Sequence, residues 1–484
     1  MRINWNEPRF NNDELIEVSE VINEAYVNEG PRSKQLEEII GKFLNVKHVI
    51  LTTNGTAALF LGLKADSIIR GVNDFEVIVP DMTMFASASS VNWAGGKPVM
   101  VDVLKNRMTI DVDKIEEKIT DKTIAIMPVH ILGRSAEMDK IIELSQKHNL
   151  TIIEDAAGAL SSKYNNQYLG TIGKVGCFSL QSNKIITTGQ GGIIVTDDDK
   201  YYEVMKRLRD FGRMDKEFYH EEIGYNLKFN DLAAAIGLAQ FKKLEERRKM
   251  LINQFSLYKR ELRDVQTVQF PEVRIEEGEV PLWVDVFTKD RDQLIDFLKK
   301  EDIHCRKIWP SIHRNKPYTD KDINYPNSSF VSDNVLWLPN GPAITDEQIV
   351  IICKKIKEFY RRLKKIHEDK RGGIYLVENL LEDQKEFTFM EIKPGYARGG
   401  CTHTNDEHFV VIKGRVNFVC GDEEKELVAG ESGIISASKP HAFIGIEDSI
   451  VSEWGITSEE KRMDTKDKKL RARIDEINNN QSKY

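Results

Sequence analysis

The 484-residue sequence lacks several features that would assign it to a membrane or to an oxidising compartment. No apolar run is long enough to span a bilayer, and residues 1–7 lack the apolar stretch of a signal peptide. The 5 cysteines are scattered and form no Cys-x-x-Cys pair, so nothing indicates a disulfide framework. We therefore expect a reduced, cytoplasmic protein with no membrane partner.

The charge balance excludes another class of partner. Lys and Arg number 69, Asp and Glu number 77, and the resulting net charge of −8 is not accompanied by any basic block or DNA-binding pattern. We therefore expect no nucleic acid partner and no role in transcriptional control. The hydrophobic fraction of 40% and the charged fraction of 30% are ordinary for a globular protein, and the length predicts two or three domains.

The first third of the chain alternates apolar strand-like runs with helix-length segments. The strand-like runs are residues 76–80, 97–102, 123–128 and 150–155. This pattern predicts a mostly parallel sheet covered on both faces, and ligands of such sheets gather at the carboxyl ends of the strands. Asp155 lies at such an end, where a carboxylate can stabilise a buried cationic ring nitrogen. The alternative for Asp155 is an ordinary helix cap.

Two further strand ends carry candidate binding residues. Residues 48–51 lead into a glycine turn and a helix, so the backbone N–H groups near Gly55 and Thr56 form a candidate phosphate cradle. The alternative is a capped helix with no ligand. Phe85 follows another predicted strand, where its ring either stacks on a flat ligand or belongs to the core.

The most informative segment of the chain is 177–195. In it, Lys184 lies between two short apolar runs and precedes Gly189, Gly191 and Gly192. A lysine that acts as a nucleophile must be held in a protected pocket where its ammonium can lose a proton. Glycines let the backbone turn tightly and approach a ligand closely. The alternative is a solvated loop lysine beside a hairpin.

The pattern changes twice along the rest of the chain. A small α+β domain is indicated after a charged helix at 242–261, and alternating apolar and polar runs beyond 373 predict a small β-barrel or jelly roll. The predicted divisions are 1–245 for the large domain (its first residues, 1–12, expected to pack on the small domain), 246–365 for the small domain, 366–372 for a linker, 373–457 for the barrel and 458–484 for a charged tail.

The ordered motifs of the first part resemble the DegT/DnrJ/EryC1/StrS sugar aminotransferases, which have fold type I and use pyridoxal phosphate (PLP). The matching segments are 54–59, 128–130, 154–157, 178–192 and 224–226. Segments 127–133, 290–292 and 336–339 are most similar to the perosamine-synthase-like branch of this family. The resemblance implies a large, mostly parallel sheet domain and a small α+β domain.

The resemblance also implies roles for the residues singled out above. Lys184 would hold PLP covalently and then carry a proton between substrate and cofactor. Asp155 would keep the pyridinium nitrogen charged, and Phe85 would stack on the ring. A dehydratase branch of the family has histidine at this position, so the lysine at position 184 argues against membership of that branch.

Other residues are implied to bind the cofactor phosphate and the substrate. Gly55, Thr56 and Ser179 would hold the phosphate. Asn226 would reach in from a neighbouring subunit, which implies a homodimer with shared active sites. His313 would lie near the nucleotide-sugar substrate.

The implied reaction moves an amino group from an amino acid, expected to be glutamate, to a nucleotide-linked keto-6-deoxyhexose. We expect amination at C4, for glycan or polysaccharide biosynthesis. Two positions depart from the family: Gly158 stands where Gln, His or Glu is frequent near the ring hydroxyl, and Gln190 stands where Glu is frequent. The ring hydroxyl would therefore need another donor or a water.

The C-terminal part resembles a cupin over about residues 373–456. Cupins often carry a His-x-His motif, a following Glu and a later His that bind a metal, and the aligned residues here are Cys401, His403, Glu407 and His441. These side chains could hold a divalent metal, with His408 as an alternative ligand to Glu407. Cysteine in the first position equally suits a sugar-binding or dimer-stabilising module without metal.

Two alternative functions remain open at this point. The cupin-like part could isomerise or epimerise the sugar, which would make the protein bifunctional. Alternatively, the chain could be a regulator that binds PLP or sugar without turnover.

Overall fold

A computed structural model describes residues 2–214, 219–360, 364–377, 385–457, 463–464 and 467–480. The chain divides into two compact units. The first comprises Met1–Glu261 and Thr267–Ile352, and the second comprises Leu262–Gln266 and Cys353–Tyr484. No helix in these described ranges is both long and apolar enough to cross a membrane.

The first unit is built on a seven-stranded sheet with the strand order β1-β9-β8-β5-β4-β2-β3. Only β9 runs antiparallel to its neighbours, and the remaining pairs are parallel. The strands of this part, which include a short β6–β7 hairpin, are β1 His48–Thr52, β2 Glu76–Pro80, β3 Lys97–Val101, β4 Thr123–Ile126, β5 Thr151–Asp155, β6 Lys163–Tyr164, β7 Gln167–Tyr168, β8 Val175–Ser179 and β9 Gly192–Thr196. The predicted mostly parallel sheet is confirmed.

Helices cover both faces of this sheet. They are α1 Asn12–Asn23, α2 Pro31–Leu44, α3 Gly55–Arg70, α4 Phe85–Ala94, α5 Met138–His148, α6 Asp199–Arg209, α7 Asp231–Phe241 and α8 Leu244–Glu261. Alternate residues of a strand therefore enter different apolar clusters: Ile193 and Val195 of β9 pack with Phe178, whereas Ile194 packs with Cys177 on the other face. Burial on both faces explains the continuous apolar runs in the sequence.

A second, three-stranded sheet completes the first unit, with the antiparallel order β10-β12-β11. Its strands are β10 Val284–Phe287, β11 Arg306–Lys307 and β12 Val335–Leu338, and its helices are α9 Arg291–Lys300 and α10 Pro326–Asn334. The start of the chain packs here, because Ile3 pairs with Ile303 and the N–H of Asn340 donates to the Trp5 carbonyl at 2.9 Å. Helix α11 Asp346–Tyr360 begins in the first unit and ends in the second. Most of the predicted large and small domains lies in one compact unit, except residues 262–266 and 353–365 of the predicted small domain, which belong to the second unit.

The second unit contains two antiparallel sheets, with orders β13-β14-β15-β22-β17-β20 and β19-β18-β21-β16-β23. The elements are β13 Lys364–Asp369, β14 Gly372–Val377, β15 Lys385–Ile392, β16 Ala397–Thr402, β17 Glu407–Lys413, β18 Arg415–Cys420, β19 Glu423–Val428, β20 Ser432–Ile435, β21 His441–Gly445, β22 Ser449–Thr457, β23 Met463–Asp464 and α12 Lys468–Asn480. Phe409, Val411, Phe443 and Val451 form the centre of its core. The predicted all-β architecture is confirmed.

The predicted linker at 366–372 is wrong. These residues form most of β13 and the turn into β14, with Asp369 opposite Gly372, so the sheet begins before the predicted boundary. The sequence prediction failed because a charged segment on a sheet edge has the same composition as a solvated linker. The predicted tail contains β23 and α12, whereas residues 458–462, 465–466 and 481–484 lie outside the described part.

Candidate active site

A cavity of about 400 Å³ opens where β5 and β8 end and α3 begins. Asp155, Gly55, Thr56, Ser179 and Lys184 all line it. Larger hollows of about 600 and 910 Å³ lie elsewhere in this unit, but neither is lined by Asp155 or Lys184. We therefore identify the candidate site by the chemistry of the residues that line this cavity, because cavity size alone would favour the two larger cavities.

Lys184 is placed by the loop that follows β8. Its backbone N–H donates to the Gln181 carbonyl at 2.9 Å, and its Nζ atom lies 5.5 Å from the ring centre of Trp283. Burial lowers the pKa of Lys184 from 10.5 to about 8, although the negative charge of Asp155 acts in the opposite direction. Loss of hydration favours the neutral amine, so this lysine is prepared to react as a nucleophile or to accept a proton.

Asp155 is buried at the end of β5, with both carboxylate oxygens occupied. Its Oδ2 accepts a hydrogen bond from Ser87 Oγ at 2.7 Å, and its Oδ1 accepts one from the Ala157 N–H at 3.1 Å. Burial raises the pKa of Asp155, while these two donors favour its charged form. Ser87 Oγ also lies 2.9 Å from Thr83 Oγ1, so a chain of hydroxyl groups supports the carboxylate. Sequence reasoning did not identify Ser87.

The start of α3 provides the anion cradle. Asn54 caps the helix by accepting a hydrogen bond from the Ala57 N–H at 2.9 Å, which leaves the N–H groups of Gly55 and Thr56 with no intrahelical acceptor. A Cβ atom on Gly55 would lie 3.0 Å from the Ser179 Cβ, so glycine permits the close approach of the helix to this serine. Two N–H groups, a hydroxyl and the helix dipole together favour a bound phosphate.

Three residues predicted for the site lie outside the cavity. Phe85 begins α4 with 38% of its surface exposed, and its ring centre lies 5.4 Å from that of Tyr318. Asn226 is exposed and pairs with Asp210. His313 is fully buried elsewhere.

The buried His313 lies between two carboxylates. Its Nδ1 lies 2.6 Å from Asp81 Oδ2, and its Nε2 lies 2.7 Å from Asp322 Oδ1. Both ring nitrogens are therefore occupied by carboxylates of the same unit. The imidazole joins the loop after β2 to residues 312–322, and Tyr325 stacks on it at 4.8 Å.

Four tryptophans line the cavity, and sequence reasoning missed all of them: Trp5, Trp283, Trp309 and Trp337. The sequence contains 6 tryptophans, so most of them converge here. Their only sequence signal is their rarity, because they come from distant positions in the chain.

The two departures from the family pattern also have a structural setting. A Cβ atom on Gly158 would lie 3.4 Å from the Leu132 nitrogen and from Leu282 Cδ2, so these leucines fill the space around it. Gln190 lines the cavity, as does Asn183, whose Oδ1 is buried without a hydrogen-bond partner among the described residues. Two amide side chains therefore line the cavity and would be available to a ring hydroxyl if PLP were bound.

A separate cluster lies in the second unit. Cys401 Sγ is 3.5 Å from His403 Nε2, and Glu407 Oε2 lies 3.4 Å from both His403 Nε2 and His441 Nε2. Glu453, which the sequence analysis did not name, lies 3.7 Å from His441 Nε2. Two overlapping groups, Cys401 with His403 and His441, and Glu407 with His441 and Glu453, each keep their ligand atoms within 4.8 Å.

This cluster is buried and contains two carboxylates close to a histidine. His403, Glu407, His441 and Glu453 are all at most 6% exposed. Burial opposes protonation of His441, but the Glu453 and Glu407 carboxylates raise its pKa. His408 lies beside Trp454 instead, with ring centres 5.7 Å apart, because successive residues of β17 point to opposite faces.

The first unit thus combines a lysine with a lowered pKa, a carboxylate that can pair with a ring nitrogen, and a helix N-terminus that can hold a phosphate. These residues fit PLP, and the fold and site are those of a fold type I PLP-dependent enzyme. The sequence model of the "DegT/DnrJ/EryC1/StrS aminotransferase family" matches residues 8–357, and the chain belongs to this family. It is a PLP-dependent sugar aminotransferase, and a cupin domain matches residues 388–454.

Characterised relatives agree with this assignment. The chain is 33% identical to GDP-perosamine synthase of Escherichia coli O157:H7, over 73% of this chain and 97% of the relative. It is 36% identical to GDP-perosamine synthase of Caulobacter vibrioides, over 66% of this chain and 87% of the relative. Among solved structures, S. venezuelae DesV superposes with a TM-score of 0.69 and 27% identity, covering 73% of this chain and 95% of DesV.

Proposed function

We propose that this protein transfers an amino group from glutamate to the C4 keto carbon of a nucleotide-linked 6-deoxyhexose. The observation that carries the proposal is the convergence of Lys184, Asp155 and the Gly55–Thr56 cradle on one cavity. The two relatives called GDP-perosamine synthase support a sugar substrate of this kind, and a GDP-linked sugar is the first candidate.

Each residue has a task in this reaction. PLP, when bound, supplies an electron sink for the reacting carbon of the substrate. Asp155 holds the ring nitrogen in its charged form, and the start of α3 anchors the phosphate. Lys184 Nζ, whose lowered pKa of about 8 lies near the working pH, accepts and returns a proton at the reacting carbon.

We also propose that the active form is a cytoplasmic homodimer. Asn226 is exposed and does not line the cavity of its own chain, which supports its predicted reach into a neighbouring site. Phe85 is also partly exposed, and its neighbours Met84 and Ala86 line the cavity, which supports its predicted contact with the cofactor ring.

Borohydride trapping tests the role of Lys184. The wild-type protein should be coloured, and reduction should attach PLP covalently to the peptide that contains Lys184. Lys184→Ala should lose trapping, whereas Lys174→Ala, which removes a surface lysine paired with Asp198, should keep it. Colour and trapping that persist in Lys184→Ala would exclude the assignment.

Turnover tests the substrate. The protein is incubated with ¹⁵N-glutamate and GDP-, UDP- and dTDP-linked 4-keto-6-deoxyhexoses, and the products are read by mass spectrometry and NMR. We expect ¹⁵N at C4 of one sugar. Label at C3 would overturn the proposed amination at C4, and transfer from another amino acid only would overturn glutamate as the donor. Neither result would contradict the aminotransferase chemistry.

We propose as a second function that the cupin unit binds a divalent metal. The compact, buried arrangement of Cys401, His403, Glu407, His441 and Glu453 favours this, because sulfur, imidazole and carboxylate groups are the ligands of zinc and iron. Metal content of the full chain, measured by mass spectrometry after dialysis, should approach one per chain. His403→Ala should lose it, and the matched variant His408→Ala should keep it; equal contents would refute the site.

A sugar isomerase or epimerase activity in this unit can be separated from amination. In the Lys184→Ala protein, exchange of sugar-ring hydrogens with D₂O above the rate of a protein-free control reports a site that does not use Lys184. Exchange that disappears when His403→Ala is added would support bifunctionality. If no exchange occurs, the cupin unit serves binding or assembly.

A further inference from the structure

Strand β1, which leads into the phosphate cradle, is the edge strand of the seven-stranded sheet. It pairs with β9 on one side, with Leu51 opposite Ile193, and it ends at Thr52 shortly before Gly55 begins α3. An edge strand has backbone N–H and C=O groups that no neighbouring strand can pair. The position of the cradle therefore depends on what holds the outer side of β1.

Two side chains bond the peptide groups of Leu51 in place of a neighbouring strand. Glu37 Oε1 of α2 accepts a hydrogen bond from the Leu51 N–H at 3.0 Å, and Arg209 Nη1 of α6 donates to the Leu51 carbonyl at 2.8 Å. Arg209 is 6% exposed, and its Nη2 also lies 2.6 Å from Glu29 Oε1. Side chains of two helices therefore hold the end of β1 from its outer side.

The same arginine also holds the segment that carries Asn226. The Arg209 carbonyl accepts a hydrogen bond from the Leu227 N–H at 3.0 Å, and Asp210 pairs with Asn226. Thr52 completes the link, because its Oγ1 donates to the Leu227 carbonyl at 2.9 Å. The end of β1 and the residue predicted to reach a neighbouring site therefore share one support.

Glu37 is a partly buried carboxyl group with an unusual pKa. It lines the hollow of about 910 Å³, so protons reach it from solvent. Burial raises the pKa of Glu37 from 4.5 to about 7, although the Leu51 N–H and Arg209 act in the opposite direction. The charged side chains that face it are Arg209 and Lys206 of α6 and Glu29 before α2. The carboxyl group therefore gains and loses its charge close to neutral pH.

The charge of Glu37 has opposite effects on local geometry and on stability. A carboxylate accepts a backbone N–H more strongly than a neutral carboxyl group does, and it also attracts Arg209, so the end of β1 is held best above pH 7. Stability changes in the other direction. Because the pKa is raised in the folded state, the folded protein binds more protons than the unfolded chain between about pH 4.5 and pH 7, and stability falls as the pH rises through this range. This carboxylate is therefore better explained by positioning than by stability.

We propose that Glu37 and Arg209 are positioning residues for the cofactor phosphate, which act by fixing the end of β1 from which the Gly55–Thr56 cradle extends. Neither residue lines the cavity that holds Lys184, so both act through the backbone of Leu51. This inference rests on the proposed role of the cradle and adds two residues from outside the cavity.

The affinity of the apoprotein for PLP, compared with its affinity for pyridoxal, tests this role because pyridoxal lacks the phosphate. Both dissociation constants are measured by absorbance titration. Glu37→Gln, which keeps the shape of the side chain and removes its charge, should weaken PLP about fivefold at pH 8 and leave pyridoxal within about twofold. Arg209→Lys keeps a charge but loses the paired donors of the guanidinium, so it should lower the preference for PLP in the same way. Glu38→Gln, at an exposed position of α2, is the matched control and should change neither affinity.

The dependence on pH separates positioning from a general loss of structure. The PLP dissociation constant of Glu37→Gln is divided by that of the wild type at each pH, which cancels the ionisation of PLP and of Lys184. The quotient should be close to 1 at about pH 5.5 and should rise with a midpoint near pH 7. The melting temperature of the variant apoprotein at pH 8 should equal or exceed that of the wild type, because the variant buries no charge. A quotient that does not change with pH, or a fall in melting temperature that accompanies the loss of PLP affinity, would overturn the role of Glu37.

The failure of this inference can be told from failure of the proposed cradle. If the wild-type protein binds PLP no more tightly than pyridoxal, the start of α3 does not hold the phosphate, and the inference falls with the cradle. If the wild type prefers PLP and either Glu37→Gln or Arg209→Lys keeps the whole of that preference, the cradle stands and the substituted residue does not support it.

Discussion

The lowered pKa of Lys184 makes a quantitative prediction about how the cofactor-free protein captures PLP. Covalent capture requires the neutral amine, and burial lowers the pKa of Lys184 from 10.5 to about 8. At pH 7 the neutral fraction would be about 9% at the lowered pKa against about 0.03% at the ordinary one, a difference of about 300-fold. The rate of capture should therefore rise with pH and reach half its maximum near pH 8.

The assay is stopped-flow absorbance of PLP mixed with apoprotein between pH 6 and pH 11. The reaction of PLP with a blocked free lysine, followed over the same range, corrects for ionisation of PLP itself. Lys184→Ala should show no covalent phase. The rate of capture by the wild type should reach half its maximum at a much lower pH than the rate for free lysine.

The Asp155→Asn variant tests the cause of the shift. The negative charge of Asp155 raises the pKa of Lys184 and so opposes the effect of burial. Its removal should move the half-maximum below that of the wild type, even though the variant binds PLP more weakly at equilibrium. A wild-type profile that coincides with free lysine, or a shift of the variant to higher pH, would refute the reasoning.

Two further variants test the support of the site and of the unit around it. Ser87→Ala removes a 2.7 Å hydrogen bond to the Asp155 carboxylate, and PLP affinity measured by titration should fall on the order of 10-fold to 100-fold, whereas Ser87→Thr should retain it. Asp285→Ala leaves the fully buried Arg134 without its paired carboxylate, whose oxygens lie 2.8 and 3.0 Å away. The free energy of unfolding measured in urea should fall by about 3 to 5 kcal/mol. A fall below about 1 kcal/mol would contradict the importance of the buried pair.

Much of the site could be predicted from sequence because its signals are local. Lys184 precedes a glycine-rich turn, Gly55 and Thr56 follow a strand and begin a helix, and Asp155 ends an apolar run. Parallel strands bring their carboxyl ends to one edge of a sheet, so these separate local patterns also predict a common location. The same argument places Phe85 at the start of α4, but a strand end does not determine the direction of its ring, and its contact with the cofactor stays a prediction.

Long-range packing determined the remaining features. His313 meets Asp81, which is 232 positions away in the chain, and together with Asp322 this pairing holds the buried imidazole between two carboxylates. In the second unit, Glu453 joins the predicted ligands only because β22 pairs with β17. No local pattern reports such contacts.

The sequence by itself determined the family, the segments that form the strands of the large sheet, and the chemistry of the lysine site. It could do so because periodicity, turns and short motifs depend on neighbouring residues. Tertiary structure alone decided what surrounds that lysine. Trp5 reaches the cavity because the start of the chain packs near Asn340, and Trp337 reaches it through the three-stranded sheet. Residues far apart in sequence acquire a common role only when burial brings their surfaces together.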